Sequence, residues 1–159
     1  MPPTEVKELN QNTLMEDEKS RPALYNPSKL SLFGLFFTPI AGAWLQHRNW
    51  LILKEPDRAN ESKDWLKLMV VIYAIVTLMK LTGLWPSWNW VTESINTADL
   101  TFLFVTWIFW FGTNSNLTNY IDRKQITFKK RSWVEPFFAS AIVILAYNFA
   151  LSLIASTLN

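Results

Sequence analysis

The sequence predicts an all-α integral membrane protein with three transmembrane helices and an N-terminal helical hairpin that is either re-entrant or one kinked span. Half of the 159 residues are hydrophobic and 18% are charged, against about 25% charged residues in a typical soluble domain. The charges fall in blocks, and the four apolar segments between those blocks contain almost none. This segregation is typical of a chain that crosses a bilayer several times.

We expect two regions in the chain. Residues 1–26 are polar and hold no apolar run after a basic start, so they do not resemble a secretory signal peptide. They predict a flexible polar tail on the cytoplasmic side. Residues 27–159 contain all four apolar segments and predict a helical membrane domain.

The first apolar segment, 30–53, contains Pro39 near its middle. A proline inside a helix removes a hydrogen bond and clashes with the preceding turn. Thr38-Pro39 instead fits an N-cap residue followed by a proline in the first turn of a new helix. We therefore expect two helices, at about 27–37 and 39–53, each about 16 to 22 Å long. Neither crosses a bilayer alone, so the segment is either one kinked span or a re-entrant hairpin.

The other three apolar segments predict the three spans. They cover 65–85, 98–113 and 133–158. A span needs about 20 largely apolar residues; the second segment of these three is short, but it can lengthen through the uncharged residues 114–120. Tryptophans stand at the segment ends, where indole rings favour the headgroup level: Trp65, Trp85, Trp88, Trp90 and Trp133.

Basic residues predict the topology. The tail with Lys29 holds four Lys or Arg, the connection 46–64 holds four and the connection 112–132 holds five, whereas the connection 82–99 and the C-terminal end hold none. Cytoplasmic loops carry the excess of Lys and Arg. A re-entrant first segment puts every basic block inside, which favours it over a kinked span. We expect a cytoplasmic N-terminus and a periplasmic C-terminus.

Four charged residues lie at the edges of the spans and are candidates for intramembrane ion pairs. Lys67 and Glu135 each stand two residues after a boundary tryptophan, so their matched depth predicts a pair. Lys80 lies about one turn from the outer boundary, where Asp99 or Glu93 is the expected partner. Structural charges that pair or reach the headgroups are the simpler interpretation, and a proton or ion relay is the alternative.

Two further sets of residues are candidate helix contacts. Small residues on one face allow close approach of another helix, which makes Ala139, Ala146 and Ala150 a candidate packing face towards the other spans or a partner subunit. The deeper polar positions, which would line a pore in an oligomer, are Thr106, Thr113, Asn114 and Asn148.

The sequence argues against several functional classes. It has no cysteine, one histidine (His47), no motif of the hydrolase, zinc-protease or phosphate-loop types, and a net charge of +2. We therefore expect no enzyme activity, no cofactor, no bound metal and no nucleic-acid partner.

The N-terminal part of the membrane domain resembles the opening of certain small inner-membrane proteins of Gram-negative bacteria. The matching residues are Tyr25-Asn26-Pro27-Ser28-Lys29, the run Phe36-Phe37-Thr38-Pro39-Ile40-Ala41-Gly42-Ala43, and Arg48-Asn49-Trp50. The resemblance covers about 30 of the 159 residues. It implies a bacterial inner membrane and supplies no activity.

These observations favour a non-enzymatic membrane protein that works by interaction. Examples are an immunity protein against a membrane-acting toxin and an accessory subunit of a membrane complex. The expected partners are membrane lipids together with another protein or further copies of this chain. The alternative is a channel or small transporter protomer that forms a pore by oligomerising, and an enzyme acting on lipid ranks third.

Overall fold

The protein is all-helical apart from one pair of very short strands. The computed structural model describes residues 20–85 and 97–158, so most of the predicted tail, Glu93, Trp88 and Trp90 lie outside the described residues. The elements within these ranges, in chain order, are β1 (Ala23–Leu24), α1 (Pro27–Phe37), α2 (Pro39–Ile52), α3 (Pro56–Leu81), α4 (Thr97–Arg123), β2 (Lys129–Lys130) and α5 (Val134–Leu158).

The first apolar segment divides where the sequence predicts. The side chain of Asn26 caps α1 by accepting a hydrogen bond from the Ser28 backbone N–H at 3.1 Å. Both α1 and α2 begin with a proline in the first turn. Thr38 separates the two helices with φ of 125°, a backbone conformation that favours glycine. Its hydroxyl makes no capping bond, so Pro39 and this backbone turn start α2.

Helices α1 and α2 form a hairpin whose two ends lie together. The Asn49 side chain near the end of α2 binds the backbone of Tyr25, just before α1, at both its polar atoms. The Tyr25 N–H donates to Asn49 Oδ1 at 3.0 Å, and Asn49 Nδ2 donates to the Tyr25 carbonyl at 2.8 Å. The chain therefore enters and leaves the hairpin at the same end of the molecule.

The two strands fasten the start of the hairpin to the start of α5. They run parallel, with Ala23 opposite Lys129 and Leu24 opposite Lys130. The Lys129 N–H donates to the Pro22 carbonyl at 2.9 Å, and the Arg131 N–H donates to the Leu24 carbonyl at 2.8 Å. The connection before α5 therefore lies at the same end as both ends of the hairpin.

The hairpin is the element that all three long helices contact. Its two glycines enclose the indole of Trp110 from α4, which is fully buried. A Cβ added to Gly34 would lie 2.4 Å from the Trp110 ring, and one added to Gly42 would lie 2.6 Å from it. The missing side chains of α1 and α2 therefore create the space that seats α4.

Composition supports fewer membrane spans than the sequence analysis predicts. Helices α3, α4 and α5 have 26, 27 and 25 residues, so each is roughly 40 Å long. Among the described residues, one helix is both long and apolar enough to cross a membrane: α5, over Val134–Ile154. The charges of Asp64, Lys67 and Lys80 interrupt α3, and hydroxyl and amide side chains interrupt α4. Of the three predicted spans, only α5 is long and apolar enough by this measure among the described residues.

The close fit around Trp110 is tested by adding a methyl group. Gly34→Ala or Gly42→Ala is expected to lower the free energy of unfolding by about 1 to 3 kcal/mol, because the Cβ overlaps the indole. Gly112→Ala is the control, since a Cβ there meets nothing within 4 Å, and alanine favours a helix by up to about 1 kcal/mol. Thermal unfolding in detergent provides the measurement. Equal melting temperatures for Gly42→Ala and Gly112→Ala would contradict the fit.

Candidate functional site

The charged end of the bundle is organised around Glu135 at the start of α5. Its carboxylate lies 3.3 Å from Arg48 of α2 and 3.6 Å from Arg131, which precedes α5. The Arg48 guanidinium also lies 5.1 Å from the centroid of the Trp44 ring, and that of Arg131 lies 5.0 Å from the Tyr25 ring. Glu135 therefore joins α5 to the hairpin.

The predicted pair of Lys67 with Glu135 is wrong. Lys67 Nζ lies 2.7 Å from Asp64, one turn earlier on the same helix. This hydrogen bond, and then the charge of Lys67, lowers the pKa of the Asp64 carboxyl below its usual value. Matched depth along the helices was not enough to predict the pair. Glu135 is paired with Arg48 of α2, and Lys67 lies on the exposed surface of α3.

The opposite end holds the second predicted pair. Lys80 Nζ lies 2.8 Å from Asp99 Oδ2, and the indole N–H of Trp85 donates to Asp99 Oδ1 at 2.7 Å. Lys80 also lies 5.8 Å from the centroid of the Trp85 ring. This cluster joins the end of α3 to the start of α4 and leaves both Asp99 oxygens occupied.

A row of polar contacts, which we call the polar seam, joins the hairpin to α4. Gln46 donates to the Thr113 carbonyl at 2.9 Å, and Asn114 donates to Ser31 Oγ at 2.7 Å. The indole N–H of Trp107 donates to the Ser31 carbonyl at 2.8 Å. The seam therefore contains two of the predicted pore positions, Thr113 and Asn114, as contacts between helices.

The two remaining pore positions lie elsewhere. Thr106 is buried and donates to the carbonyls of Phe102 and Leu103 on its own helix. Asn148 is exposed on α5 and donates to the Ile144 carbonyl at 2.8 Å. The structure therefore does not bring the four positions to one wall.

The alanine face of α5 makes little contact with the rest of the chain. Ala139, Ala146 and Ala150 are all exposed, whereas Pro136 and Ser140 are the buried residues of this helix. Ala146 and Ala150 therefore lie on an exposed face of α5, and their predicted contact with a partner subunit stays a prediction. One hydrogen bond joins α5 to α3: the hydroxyl oxygens of Tyr147 and Thr77 lie 2.7 Å apart.

An apolar cavity of about 300 Å³ separates α5 from the tip of the hairpin. Ala139 is among the residues that line it, which come from α1, the hairpin turn, α2, α3 and α5: Phe37, Thr38, Ile40, Ala41, Trp44, Leu66, Ala139, Ser140, Val143 and Ile144. No titratable side chain lines this cavity, so it offers apolar contact and no acid–base chemistry.

The single histidine has a structural contact. His47 Nδ1 lies 2.7 Å from the Ala59 carbonyl, so His47 joins α2 to α3 and is not a fully solvated surface residue. Among residues 20–85 and 97–158, no group of three or more His, Asp and Glu side chains is placed to hold a metal ion.

Sequence reasoning missed the residues that hold the hairpin in place. Asn49, Gln46 and Trp110 are buried, yet none of them is among the predicted site residues. The available signal was that two amides stand one turn apart within an apolar segment, where a polar side chain needs a hydrogen-bond partner.

Comparison with known proteins adds no relative: no family model, no curated protein and no solved structure matches this chain.

Two double-mutant cycles test the corrected pairing of Glu135. Arg48→Met and Glu135→Gln are expected to be coupled by about 0.5 kcal/mol, the usual value for a solvent-exposed ion pair. Lys67→Met and Glu135→Gln are expected to be additive, since the two side chains have different partners. The measurement is the free energy of unfolding in detergent at low salt. Coupling in the second cycle, without coupling in the first, would restore the pair that the structure rejects.

Proposed function

We propose that this protein is a multi-pass inner-membrane protein in which α3, α4 and α5 span the bilayer and the α1–α2 hairpin is re-entrant. The support is exposed apolar surface. Monomeric soluble proteins rarely expose apolar patches of more than a few hundred Å². Large apolar side chains are exposed along all three long helices, among them Leu68, Val71, Ile75, Leu78, Phe104, Ile108, Phe109, Phe138, Ile142, Val143 and Phe149.

Two polar residues in the middle of α4, Thr106 and Asn114, are compatible with a span because they face inward. Asn114 is 2% exposed and Thr106 is 6% exposed, and both make hydrogen bonds within the protein. These polar groups lower the mean hydropathy of the helix, but in a bilayer they would not contact lipid. Lys80 of α3 is paired with Asp99, which reduces the cost of placing it near the edge of the hydrocarbon.

The charge distribution supports the orientation. The hairpin ends, the loop to α3, the end of α4 and the strand β2 all lie at one end of the bundle, and the basic residues of the described chain concentrate there. That end is proposed to be cytoplasmic. The N-terminus is then cytoplasmic and the C-terminus periplasmic.

Within the membrane, we propose that the protein works by binding another membrane protein. The observation that carries this is the exposure of α5: 6% of its most apolar window is buried inside the protein. The helix therefore has most of its surface available. One face presents small side chains, and an exposed amide, Asn148, lies within the proposed span, where a partner helix would offer it a hydrogen bond.

The biological role that fits such binding is that of an immunity protein against a membrane-acting toxin, or of an accessory subunit in a membrane complex. A channel would require the four polar positions on one wall, and no observation on the described residues favours that arrangement. In the polar seam, Gln46 donates to the Thr113 carbonyl and the Asn114 amide nitrogen donates to Ser31.

Single cysteines test the topology, because the chain has none of its own. In intact cells, an impermeant thiol reagent is expected to label cysteines at Thr82 and Thr157, but those at Thr13 and Thr127 only after permeabilisation. If α5 alone crossed the membrane, the cysteines at Thr82 and Thr127 would behave alike. Labelling at position 13 with none at 157 would reject the proposed orientation.

A photoreactive residue tests the interaction. Placed at Ala146 in native membranes, it is expected to give a cross-linked product of one discrete higher mass, because small neighbours admit a partner helix there. Placed at the exposed Leu145, about 100° around the helix, it is expected to react mainly with lipid. Lipid adducts alone at both positions would contradict a protein partner on this face.

Planar bilayers test the channel alternative independently. The purified protein is expected to leave the conductance of the bilayer unchanged. Reproducible single-channel currents would favour the channel and count against the interaction proposal.

A further inference from the structure

A polar groove of about 340 Å³ lies between the first turn of α3 and the last two turns of α4. It is lined by Arg58, Asn116, Asn119, Tyr120, Arg123 and Lys124. Pockets of roughly 300 to 1,000 Å³ are typical of small-ligand sites. In contrast to the apolar cavity beside α5, this groove is surrounded by hydrogen-bond donors and three cationic side chains.

Arg58 is held in position by two aromatic rings. Its guanidinium carbon lies 5.1 Å from the centroid of the Trp50 ring and 4.9 Å from that of the Tyr120 ring. The two rings are themselves packed edge to face at 5.2 Å, and Trp50 is 2% exposed. Stacking restrains the plane of the guanidinium without using its N–H donors.

The cations of the groove have no carboxylate partner among the described residues. Arg48, Arg131, Lys67 and Lys80 each have one within 4.0 Å, whereas Arg58, Arg123 and Lys124 have none there. The amides of Asn116 and Asn119 likewise make no side-chain hydrogen bond within the described chain. Five side chains that can donate hydrogen bonds therefore face one groove with no carboxylate or side-chain hydrogen-bond acceptor among the described residues.

The nearby carboxylates do not line the groove. Glu55 accepts a hydrogen bond from the Tyr120 hydroxyl. Glu61 lines a smaller neighbouring cavity with Arg58. Asp57 and Asp122 adjoin the cations in sequence and are exposed. The carbonyl end of α4 contributes about half a negative charge, which three full positive charges outweigh.

We propose that this groove binds a phosphate group, as a mono- or diester. Paired guanidinium and ammonium groups with amide donors are the side chains that recognise phosphate oxygens. Arg58 lies seven residues before Trp65, so its Cα is about 10 Å beyond that boundary. If the proposed orientation holds, the groove lies just outside the cytoplasmic headgroups, where a long basic side chain can reach the phosphate of an anionic lipid. The phosphate is then supplied by an anionic phospholipid or, alternatively, by a free phosphate ester.

The test compares two pairs of substitutions that remove the same charge. Arg123→Gln with Lys124→Gln changes the groove, and Lys63→Gln with Lys130→Gln removes two exposed cations from the same end outside it. Each protein, full-length in neutral detergent, is titrated with short-chain phosphatidylglycerol, with short-chain phosphatidylcholine and with inorganic phosphate. Native mass spectrometry counts bound lipid, and thermal unfolding reports stabilisation by either ligand.

Phosphatidylglycerol is expected to bind the unmodified protein, with phosphatidylcholine binding at least about tenfold more weakly. The groove pair is expected to lose about tenfold or more in affinity, since each basic side chain near an anionic headgroup contributes substantially. The control pair should lose less than about twofold. Arg58→Lys retains the charge and should still weaken binding, because the planar fork is lost.

Equal losses for the two pairs would overturn the proposal, because they would indicate diffuse surface charge instead of a site. Absence of binding by both phosphatidylglycerol and inorganic phosphate would overturn it as well. Binding of phosphate alone, sensitive to the groove pair, would assign the site to a free phosphate ester. That result would stand even if cysteine labelling rejected the membrane orientation, so the two proposals fail separately.

Discussion

The reversal of the chain at Thr38 is the constraint on which the rest of the structure depends. A β-branched residue with φ of 125° costs of order 1 to 3 kcal/mol, and the proline that follows prevents α1 from simply continuing. The reversal is maintained because Asn49 closes the other end on Tyr25 and because Trp110 is held against both arms. A straight helix would present one glycine to Trp110, not two.

The three long helices are assembled on this hairpin and contact one another little. Helices α3 and α4 are joined at one end by Lys80 and Asp99 and at the other by Arg58 and Tyr120, and α5 reaches the hairpin through Glu135 and Arg48. Polar contacts therefore join elements that have limited apolar contact. In a lipid surrounding, where apolar surfaces gain little from meeting each other, hydrogen bonds and close packing are what hold helices together.

Local chemistry could be predicted from the sequence, while the direction that each helix faces could not. Pro39 and Thr38 gave the hairpin boundaries, and depth along the chain correctly joined Lys80 to Asp99. Depth failed for Lys67, because it ignores which side of a helix a residue occupies. Asn49 and the strand pairing depend on contacts between distant segments, and neither periodicity nor charge encodes those. By composition alone, three spans were not found, because charges interrupt α3 and because the inward-facing polar residues of α4 cannot be told from lipid-facing ones in the sequence.

The short strand pair also affects the order in which the molecule can be completed. Ala23 pairs with Lys129, so the two strands can pair only once the chain has been synthesised past β2. Because chains emerge from the ribosome N-terminal end first, the residues of α1 to α4 become available for folding before this backbone edge can be paired. The strand pair can therefore form only after the contact between Tyr25 and Asn49 has become possible, and it ties the start of α5 to a hairpin whose two ends can already be joined.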